Sequence, residues 1–387
     1  MSAVSAARGK VAPPRRRMGS RLAPEVVLAR PAVGGVAYVG RSVAASLRSR
    51  GHTVAELELA DTGAPALRAL SEAWRRRGAL RRARTVHVEL GSTSLGAFWF
   101  ALFVSLLRRD LVLILHDAPD LASRPGAGLI ATGTRWRDIL AFRFLAPLLD
   151  GPLTRRLRQR TGVHVVLSET ARLASIAAGS TRVHRVDLGA DSPTPGRPSP
   201  SAGDCVLFAG FLGPGKGLGT LCEAWGTVSQ MTTLPLRIAG VVAPSHEAWA
   251  AELRARFAGT ARPPEWLGWL QEEEFSAAIA GSAIVVLPYA RSNPASGVLV
   301  RAMIEGRAVV ATRVPATRCV AHCRTGLLVP PDDPRALSDA LGSLIADPGL
   351  RDHLGREAAA WATEQHSWAR HVDGLALAYG WTAEETR

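Results

Sequence analysis

Residues 205–221 read CVLFAGFLGPGKGLGTL, an apolar run followed by a glycine-rich loop and by the start of a helical pattern. A short buried strand that leads through a loop into a helix is the unit from which parallel sheets are built. Three closely spaced glycines, Gly213, Gly215 and Gly217, allow the backbone of this loop to approach a ligand. The stretch therefore predicts an α/β domain with a ligand loop at the carboxyl end of a strand.

The same alternation of strands and helices runs along most of the chain. A segment rich in Pro, Ser and Gly, residues 191–204, interrupts it and is typical of a linker between domains. The sequence predicts two doubly wound α/β domains that face a central cleft, where ligands bind in such architectures. The predicted strands are 26–30, 54–59, 86–90, 111–115, 163–167, 205–209, 236–242, 283–287 and 308–312, and the predicted helices include 96–108, 138–149, 334–346 and 368–379.

Length, charge and cysteine content indicate a globular protein and argue against a membrane-spanning or secreted one. The chain has 387 residues, of which 47% are apolar, and a formal net charge of +14, as expected of a globular protein with two or three domains. Its longest apolar run, residues 95–107, is shorter than the roughly 20 residues of a membrane span. Residues 1–23 are basic without the apolar core of a signal peptide, and their composition predicts a disordered tail. With four cysteines and no disulfide framework, a cytoplasmic protein is expected.

Basic residues are concentrated in two places, residues 1–23 and the run from Arg75 to Arg84. Basic surfaces attract phosphates, nucleic acid or anionic lipid. The chain has no recognition-helix, zinc-finger or aromatic-interleaved basic motif, so nucleic acid is not expected as a partner. Together with the apolar residues 98–100, the clusters predict peripheral binding to an anionic membrane surface. A solvated basic face is the alternative interpretation.

Lysine is rare in this chain, since 45 of the 47 basic residues are arginine and only Lys10 and Lys216 are lysines. Lys216 lies in the glycine loop quoted above, where a compact ammonium suits a phosphate group. The loop is not a P-loop, because Gly217 rather than Ser or Thr follows the lysine. A tight turn with a solvated lysine is the alternative.

A second loop of the same half, residues 288–298, ends a buried strand and opens a helix whose first amides have no partner inside the helix. Those amides, together with Arg291 and Ser296, suit a diphosphate. The loop also contains Asn293, the one asparagine of the chain. A surface loop with a serine N-cap is the alternative interpretation.

Two features of the first half point toward the cleft. Gly34 and Gly35 lie between a predicted strand and a predicted helix, where amides can face an anion. The pattern lacks the full dinucleotide fingerprint, so a nicotinamide enzyme with Glu56 as its ribose ligand is a weaker alternative. His116 and Asp117 directly follow the strand at 111–115, at the edge where ligands bind.

The spacing of residues 319–323, CVAHC, matches no zinc signature.

Taken together, these features resemble the retaining glycosyltransferases of the GT-B fold, family 4 (glycosyl transferases group 1). The resemblance covers nearly the whole chain after residue 24 and is strongest over 205–368. It rests on the order and spacing of motifs that are individually weak. They are Gly34-Gly35, His116-Asp117, LSE at 167–169, LGAD at 188–191, FAG at 208–210, Lys216-Gly217, VVLPY at 285–289, SGVL at 296–299, GRAVVAT at 306–312 and TGLLVPP at 325–331.

The resemblance implies a division of labour between the domains. It assigns a nucleotide-diphosphate sugar donor mainly to residues 205–366 and a glycan or lipid-linked acceptor mainly to residues 24–190. A last helix within 367–387 is expected to pack back on the first domain. The implied reaction is a front-face displacement that retains the anomeric configuration, in surface polysaccharide or glycolipid synthesis, with no cofactor and no obligatory metal.

The resemblance also implies which residues form the site. His116 and Lys216 are the implied catalytic residues. The implied donor-binding residues are Gly34, Gly35, Gly215, Gly217, Arg291, Asn293, Ser296, Gly297, Val298, Arg301 and Glu305.

The chain departs from the family pattern at three positions. The family's two glutamates fall on Asn293 and Arg301, and Phe211 stands where the family often has arginine. Arg301 does not accept a ribose hydrogen bond as a carboxylate would. Glu305, one turn further on, either supplies that carboxylate or pairs with Arg301. A catalytically degenerate binding protein is therefore the alternative function.

Overall fold

The computed structural model describes residues 25–130, 134–243, 246–291 and 295–382. The predicted disordered tail, residues 1–23, and Asn293 lie outside the described residues. Two parallel six-stranded sheets, each covered by helices, confirm the predicted α/β fold class.

The first sheet has the strand order β2-β1-β3-β4-β5-β6, and every neighbouring pair is parallel. Its central strands are buried on both faces, as parallel strands between helical layers must be. The strands are β1 (Val26–Pro31), β2 (Val54–Leu59), β3 (Thr85–Leu90), β4 (Leu111–Leu115), β5 (Val163–Val166) and β6 (Val183–Arg185). The helices are α1 (Gly35–Ser49), α2 (Pro65–Arg75), α3 (Arg77–Arg82), α4 (Leu95–Leu107), α5 (Arg135–Leu140), α6 (Ala146–Arg160) and α7 (Glu169–Ala177).

The second sheet repeats the design with the order β12-β11-β10-β7-β8-β9. Its strands are β7 (Val206–Ala209), β8 (Leu236–Ala239), β9 (Glu265–Gly268), β10 (Ile284–Leu287), β11 (Ala308–Thr312) and β12 (Leu327–Val329). Its helices are α8 (Leu218–Val228), α9 (Glu247–Ala258), α10 (Glu272–Gly281), α11 (Gly297–Ile304), α12 (Pro334–Ala346) and α13 (Pro348–Gln365), and α14 (Trp368–Tyr379) follows them. Because β7 and β10 are neighbours, the loops that follow them start side by side.

Helix α4 is strongly apolar and lies inside the first domain. Phe98, Trp99 and Phe100 are buried in the core of the first domain, so they offer no surface for the membrane contact expected of them. Within the described ranges, no helix combines the length and the apolar character that crossing a membrane requires. The predicted helix 138–149 is in fact interrupted, because α5 passes through a π-helical turn, Ala141–Leu145, before α6 begins.

The chain crosses between the two domains twice, and the crossings touch. The amide of Ala190 donates to the carbonyl of His366 at 2.8 Å. A Cβ on Gly189 would lie 2.4 Å from the Trp368 ring, so only glycine allows this approach. After the second crossing, α14 packs on the first domain, where Val372 and Leu375 join the core beneath the first sheet.

We predict that Leu375→Ala lowers the free energy of unfolding by about 2–5 kcal/mol, the usual range for emptying a fully buried leucine site. Leu377 on the same helix is 72% exposed, and Leu377→Ala should change stability by less than about 0.5 kcal/mol. Urea unfolding of both variants measures the difference. Equal midpoints would contradict the docking of α14 on the first domain.

Candidate active site

Two loops of the second domain are held together at the carboxyl ends of β7 and β10. The carbonyl of Gly215 accepts hydrogen bonds from the amides of Ala290 and Arg291, both at 3.1 Å. Gly217 has φ +73°, and a Cβ there would lie 1.6 Å from the carbonyl oxygen of Pro288. Glycine is therefore required at residue 217, both for its conformation and for the close approach of the two loops.

Lys216 and Ser296, predicted to share a ligand, are connected through one aromatic ring. The Lys216 Nζ lies 4.7 Å from the centre of the Tyr289 ring, and the Tyr289 hydroxyl lies 3.0 Å from Ser296 Oγ. Burial lowers the pKa of Lys216, and the carboxylate of Asp117 opposes that effect. Because Asp117 follows β4 of the first sheet, the Lys216 ammonium lies near the opposite wall of the cleft.

The N-terminus of α11 is the third part of the candidate anion site in the second domain. Ser296 caps the helix by accepting a hydrogen bond from the Leu299 amide at 3.2 Å. The amides of Gly297 and Val298 come earlier in the helix and have no acceptor within it. They lie at the positive end of the helix dipole. A Cβ on Gly210 would lie 3.9 Å from the Val298 side chain. The loop that follows β7 therefore lies next to the N-terminus of α11.

The first domain contributes a histidine held by a buried carboxylate. His116 Nε2 lies 2.6 Å from Glu89 Oε2, and His87 Nε2 lies 2.8 Å from Glu89 Oε1. Burial raises the pKa of the Glu89 carboxyl, but the two histidines outweigh it and hold that pKa below its usual range. Glu89 is therefore an ionised acceptor beneath the cleft. Asp117, the residue after His116, accepts a hydrogen bond from the Ser92 amide at 2.6 Å.

Glu89 was not among the residues singled out from the sequence. Its signal is the alternation in β3, VHVEL, which places His87 and Glu89 on one face of a buried strand. Charged residues on such a strand require partners. The partner His116 lies 27 positions away, directly after the neighbouring strand, and only the sheet order brings the two together.

The loop containing Gly34 and Gly35 lies at the start of α1 and borders the same cleft. Gly34 has φ +88°, and the space around the Cα atoms of both glycines is open. One turn further on, Tyr38 lies beneath the Arg301 guanidinium, 4.7 Å from the ring centre. The start of α1 therefore faces α11 across the cleft.

Arg301 and Glu305 are each engaged by other protein groups. Arg301 donates to Glu272 and, at 2.6 Å, to Ser276 Oγ. Glu305 accepts from the Thr194 amide at 3.0 Å and from its hydroxyl at 2.7 Å. The interpretation that Glu305 pairs with Arg301 is therefore wrong, because the linker occupies this carboxylate. Donor binding by the two residues stays a prediction.

Two exposed aromatic rings flank the site at the carboxyl ends of β7 and β9. Phe211 and Trp269 lie with their ring centres 6.2 Å apart, and they are 60% and 46% exposed. Phe211 occupies the position at which the resemblance leads one to expect arginine. Arg291, the remaining cation of the predicted set, is exposed beside Gly215.

The residues behind the weaker alternatives have other partners. Glu56 accepts hydrogen bonds from Arg30, at 3.1 Å, and from Arg48, so it is bound within the first domain. His322 Nδ1 accepts the Leu328 amide at 3.0 Å. In the part of the chain that the structure describes, no three His, Cys, Asp or Glu side chains are grouped as metal ligands are.

Comparison with known proteins finds glycosyltransferases among the proteins similar to this chain. Residues 203–347 match the family model described as Glycosyl transferases group 1. The chain is 29% identical over 187 residues to a D-inositol 3-phosphate glycosyltransferase of Corynebacterium urealyticum, covering 46% of this chain and 43% of that protein. It is 26% identical over 324 residues to an alpha-D-kanosaminyltransferase of Streptomyces kanamyceticus, covering 79% and 80%. The chain thus spans less than half the length of the inositol-phosphate relative.

Among solved structures, the chain is similar to HepE of Anabaena in complex with UDP and glucose. The TM-score is 0.68 at 16% identity, and the match covers 92% of this chain and 99% of that one. At this identity the likeness establishes the fold, which is GT-B.

We predict that Gly217→Ala destabilises the second domain, because a left-handed alanine costs about 1–2 kcal/mol even before the contact with Pro288. Gly226, inside α8, has open space around it, and Gly226→Ala should stabilise the protein by up to about 1 kcal/mol. Thermal unfolding compares the two variants. A Gly217→Ala protein as stable as the unaltered chain would show that the two loops are not in close contact.

Proposed function

We propose that this protein is a glycosyltransferase that moves a sugar from a nucleotide-diphosphate sugar to a glycan or lipid-linked acceptor. One observation carries the proposal. Lys216 and the first amides of α11 converge on one side of the cleft, while His116 and Asp117 face it from the other. A cation with two free amides suits a diphosphate, and a histidine across the cleft suits the sugar attached to it.

In this proposal, catalysis is mainly electrostatic. As the bond between the sugar and the diphosphate breaks, negative charge builds up on the leaving phosphate. Lys216 and the amides of Gly297 and Val298 stabilise that charge without reorganisation, because the Gly217 contact and the Ser296 cap hold them in place. His116 accepts a hydrogen bond from a hydroxyl of the donor sugar. We further propose transfer on one face of the sugar, which retains the anomeric configuration, with no cofactor and no obligatory metal.

The class of donor is supported by the relatives and by the exposed rings. HepE was solved with UDP and glucose, and the curated relatives are named as glycosyltransferases. Phe211 and Trp269 present exposed ring surfaces beside the anion site, and a nucleobase stacks well on such surfaces. A role in surface polysaccharide or glycolipid synthesis is the setting we propose.

The alternative is a degenerate chain that binds the donor without turnover. Arg301 favours this alternative. It stands in place of a family glutamate and cannot accept a ribose hydrogen bond, and its guanidinium charge is already neutralised by Glu272. Binding of a sugar nucleotide with no transfer or hydrolysis would select this alternative over the enzyme.

We predict that the chain binds UDP and that Lys216→Ala weakens binding roughly tenfold to a hundredfold, the effect of one charge-assisted bond of about 1.5–3 kcal/mol. Lys216→Arg should restore part of the affinity, because a planar fork fits poorly where a compact ammonium lies on Tyr289. Calorimetry with UDP measures the affinities. Arg356→Ala, at an exposed site on α13, is the control.

The same protein tests the reaction itself. A panel of sugar nucleotides in a thermal-shift assay identifies the donor, since a ligand at 100 times its Kd stabilises by about 2.7 kcal/mol. NMR of the product made from that donor then reports the anomeric configuration. Unchanged UDP affinity in Lys216→Ala would contradict the diphosphate site, and an inverted product would contradict retention.

We also propose that the first domain associates with an anionic membrane surface at the inner face of the membrane. The segment of residues 134–148 supports this, because it exposes large apolar side chains among arginines. Trp136 is 66% exposed, Phe144 59% and Leu148 74%, and Arg137 and Arg143 beside them are exposed as well. Such a mixture suits the boundary between lipid headgroups and acyl chains.

We predict that the chain binds vesicles containing phosphatidylglycerol, and that binding decreases at high salt because each basic residue near the surface contributes about 1 kcal/mol. The double variant Trp136→Ser, Phe144→Ser should bind markedly less. Met231→Ser removes an equally exposed apolar side chain from the second domain and should bind normally. Cosedimentation measures all three proteins. Equal binding by the double variant would exclude residues 134–148 as the contact surface.

A further inference from the structure

A continuous line of hydrogen bonds runs from the last helix to the candidate site. The Tyr379 hydroxyl on α14 lies 2.6 Å from His87 Nδ1, and His87 Nε2 lies 2.8 Å from Glu89 Oε1. The second oxygen of Glu89 lies 2.6 Å from His116 Nε2. His87 and Glu89 are fully buried, whereas the His116 side chain retains 12% exposure toward the cleft.

The direction of each bond follows from the chemistry of its partners. An ionised carboxylate only accepts, so both histidines donate to Glu89 from Nε2. Burial raises the pKa of Tyr379 well above its usual value, so its hydroxyl keeps its proton. It donates to His87 Nδ1, and that bond leaves the His87 proton on Nε2, the atom that faces Glu89.

Glu89 carries the negative charge in this line of hydrogen bonds, and the buried groups around it determine which rings share that charge. A neighbouring ring, His371, lies close enough to interact electrostatically with Glu89, but burial lowers its pKa to about 4 and keeps it neutral. Its Nδ1 donates to the Asp187 carbonyl at 2.8 Å. The histidines that share the Glu89 charge through hydrogen bonds are His87 and His116.

We propose that Glu89 and Tyr379 are positioning residues that fix the ring of His116, so that Nε2 faces Glu89 and Nδ1 is the ring atom presented to the cleft. This inference rests on the proposed function and deepens it. A fixed ring accepts a hydrogen bond from a sugar hydroxyl at Nδ1 without first having to rotate or change tautomer, and the saving appears in the rate of transfer. The contribution of Tyr379 also makes the site depend on the docking of α14.

Kinetics of three variants test the proposal. Tyr379→Phe removes one hydroxyl and should lower kcat roughly threefold to tenfold with the donor KM unchanged, while Glu89→Gln removes the charge and should lower kcat roughly tenfold to a hundredfold. Tyr379→Phe added to His116→Ala should lower kcat no further than His116→Ala alone. Ser105→Ala, which removes another buried hydroxyl of the first domain, should keep the normal kcat.

The tautomer provides a measurement that is independent of turnover. Long-range proton–nitrogen NMR of the unaltered chain should show His116 protonated at Nε2, and Tyr379→Phe should shift the His87 and His116 signals while Ser105→Ala leaves them in place. A His116 protonated only at Nδ1, or a Tyr379→Phe effect that adds fully to His116→Ala, would overturn the proposal. Absence of turnover in the unaltered chain would instead overturn the proposed function and the kinetic role, whereas a wrong tautomer overturns the hydrogen-bond line alone.

Discussion

The contact between Gly217 and the Pro288 carbonyl is the constraint on which the second domain's half of the site depends. Strands β7 and β10 are neighbours, so their loops must share a small volume at one edge of the sheet. With no Cβ at residue 217, the first loop lies directly against the second. The close fit places the Lys216 ammonium on the Tyr289 ring, and that ring in turn touches the cap of α11. Lys216 and the N-terminus of α11, which are far apart in the sequence, are thus brought to the same edge of the second sheet.

In the first domain, the corresponding constraint is a charged carboxylate, Glu89, buried beneath the cleft. Its sheet buries a carboxylate, which is costly unless partners satisfy it. Glu89 is satisfied on both oxygens, by the ring of His87 on its own strand and by the ring of His116, which follows the neighbouring strand. A buried anion with two donors holds both rings rigidly, because releasing either would leave an oxygen without a partner. The rigidity of one wall and the close loop packing of the other are complementary ways to preorganise a site.

Much of the fold could be predicted from the sequence, and the misses share a physical cause. Strand β4 and helix α12 have the predicted bounds, because an unbroken apolar run marks one and Pro334 after a capping aspartate marks the other. Strands β6, β9 and β12 were missed. All three lie at sheet edges. β6 and β9 contain polar residues and β12 has only three residues, so none of them carries a long apolar run. The sequence also drew attention to Lys216, whose rarity is a local signal, but not to Glu89 or to the partners of Arg301, which are set by tertiary contacts.

The two chain crossings between the domains carry a mechanical consequence. They lie side by side and are joined by the bond from Ala190 to His366, while Asp191 accepts from both Tyr38 and Trp368 at 2.7 Å. Two adjacent crossing segments act as a hinge. Such a hinge permits the two domains to move apart and together, and it resists twisting or sliding of one domain over the other. Lys216 and His116 lie on opposite domains, and they would then return to the same relative position after each opening of the cleft.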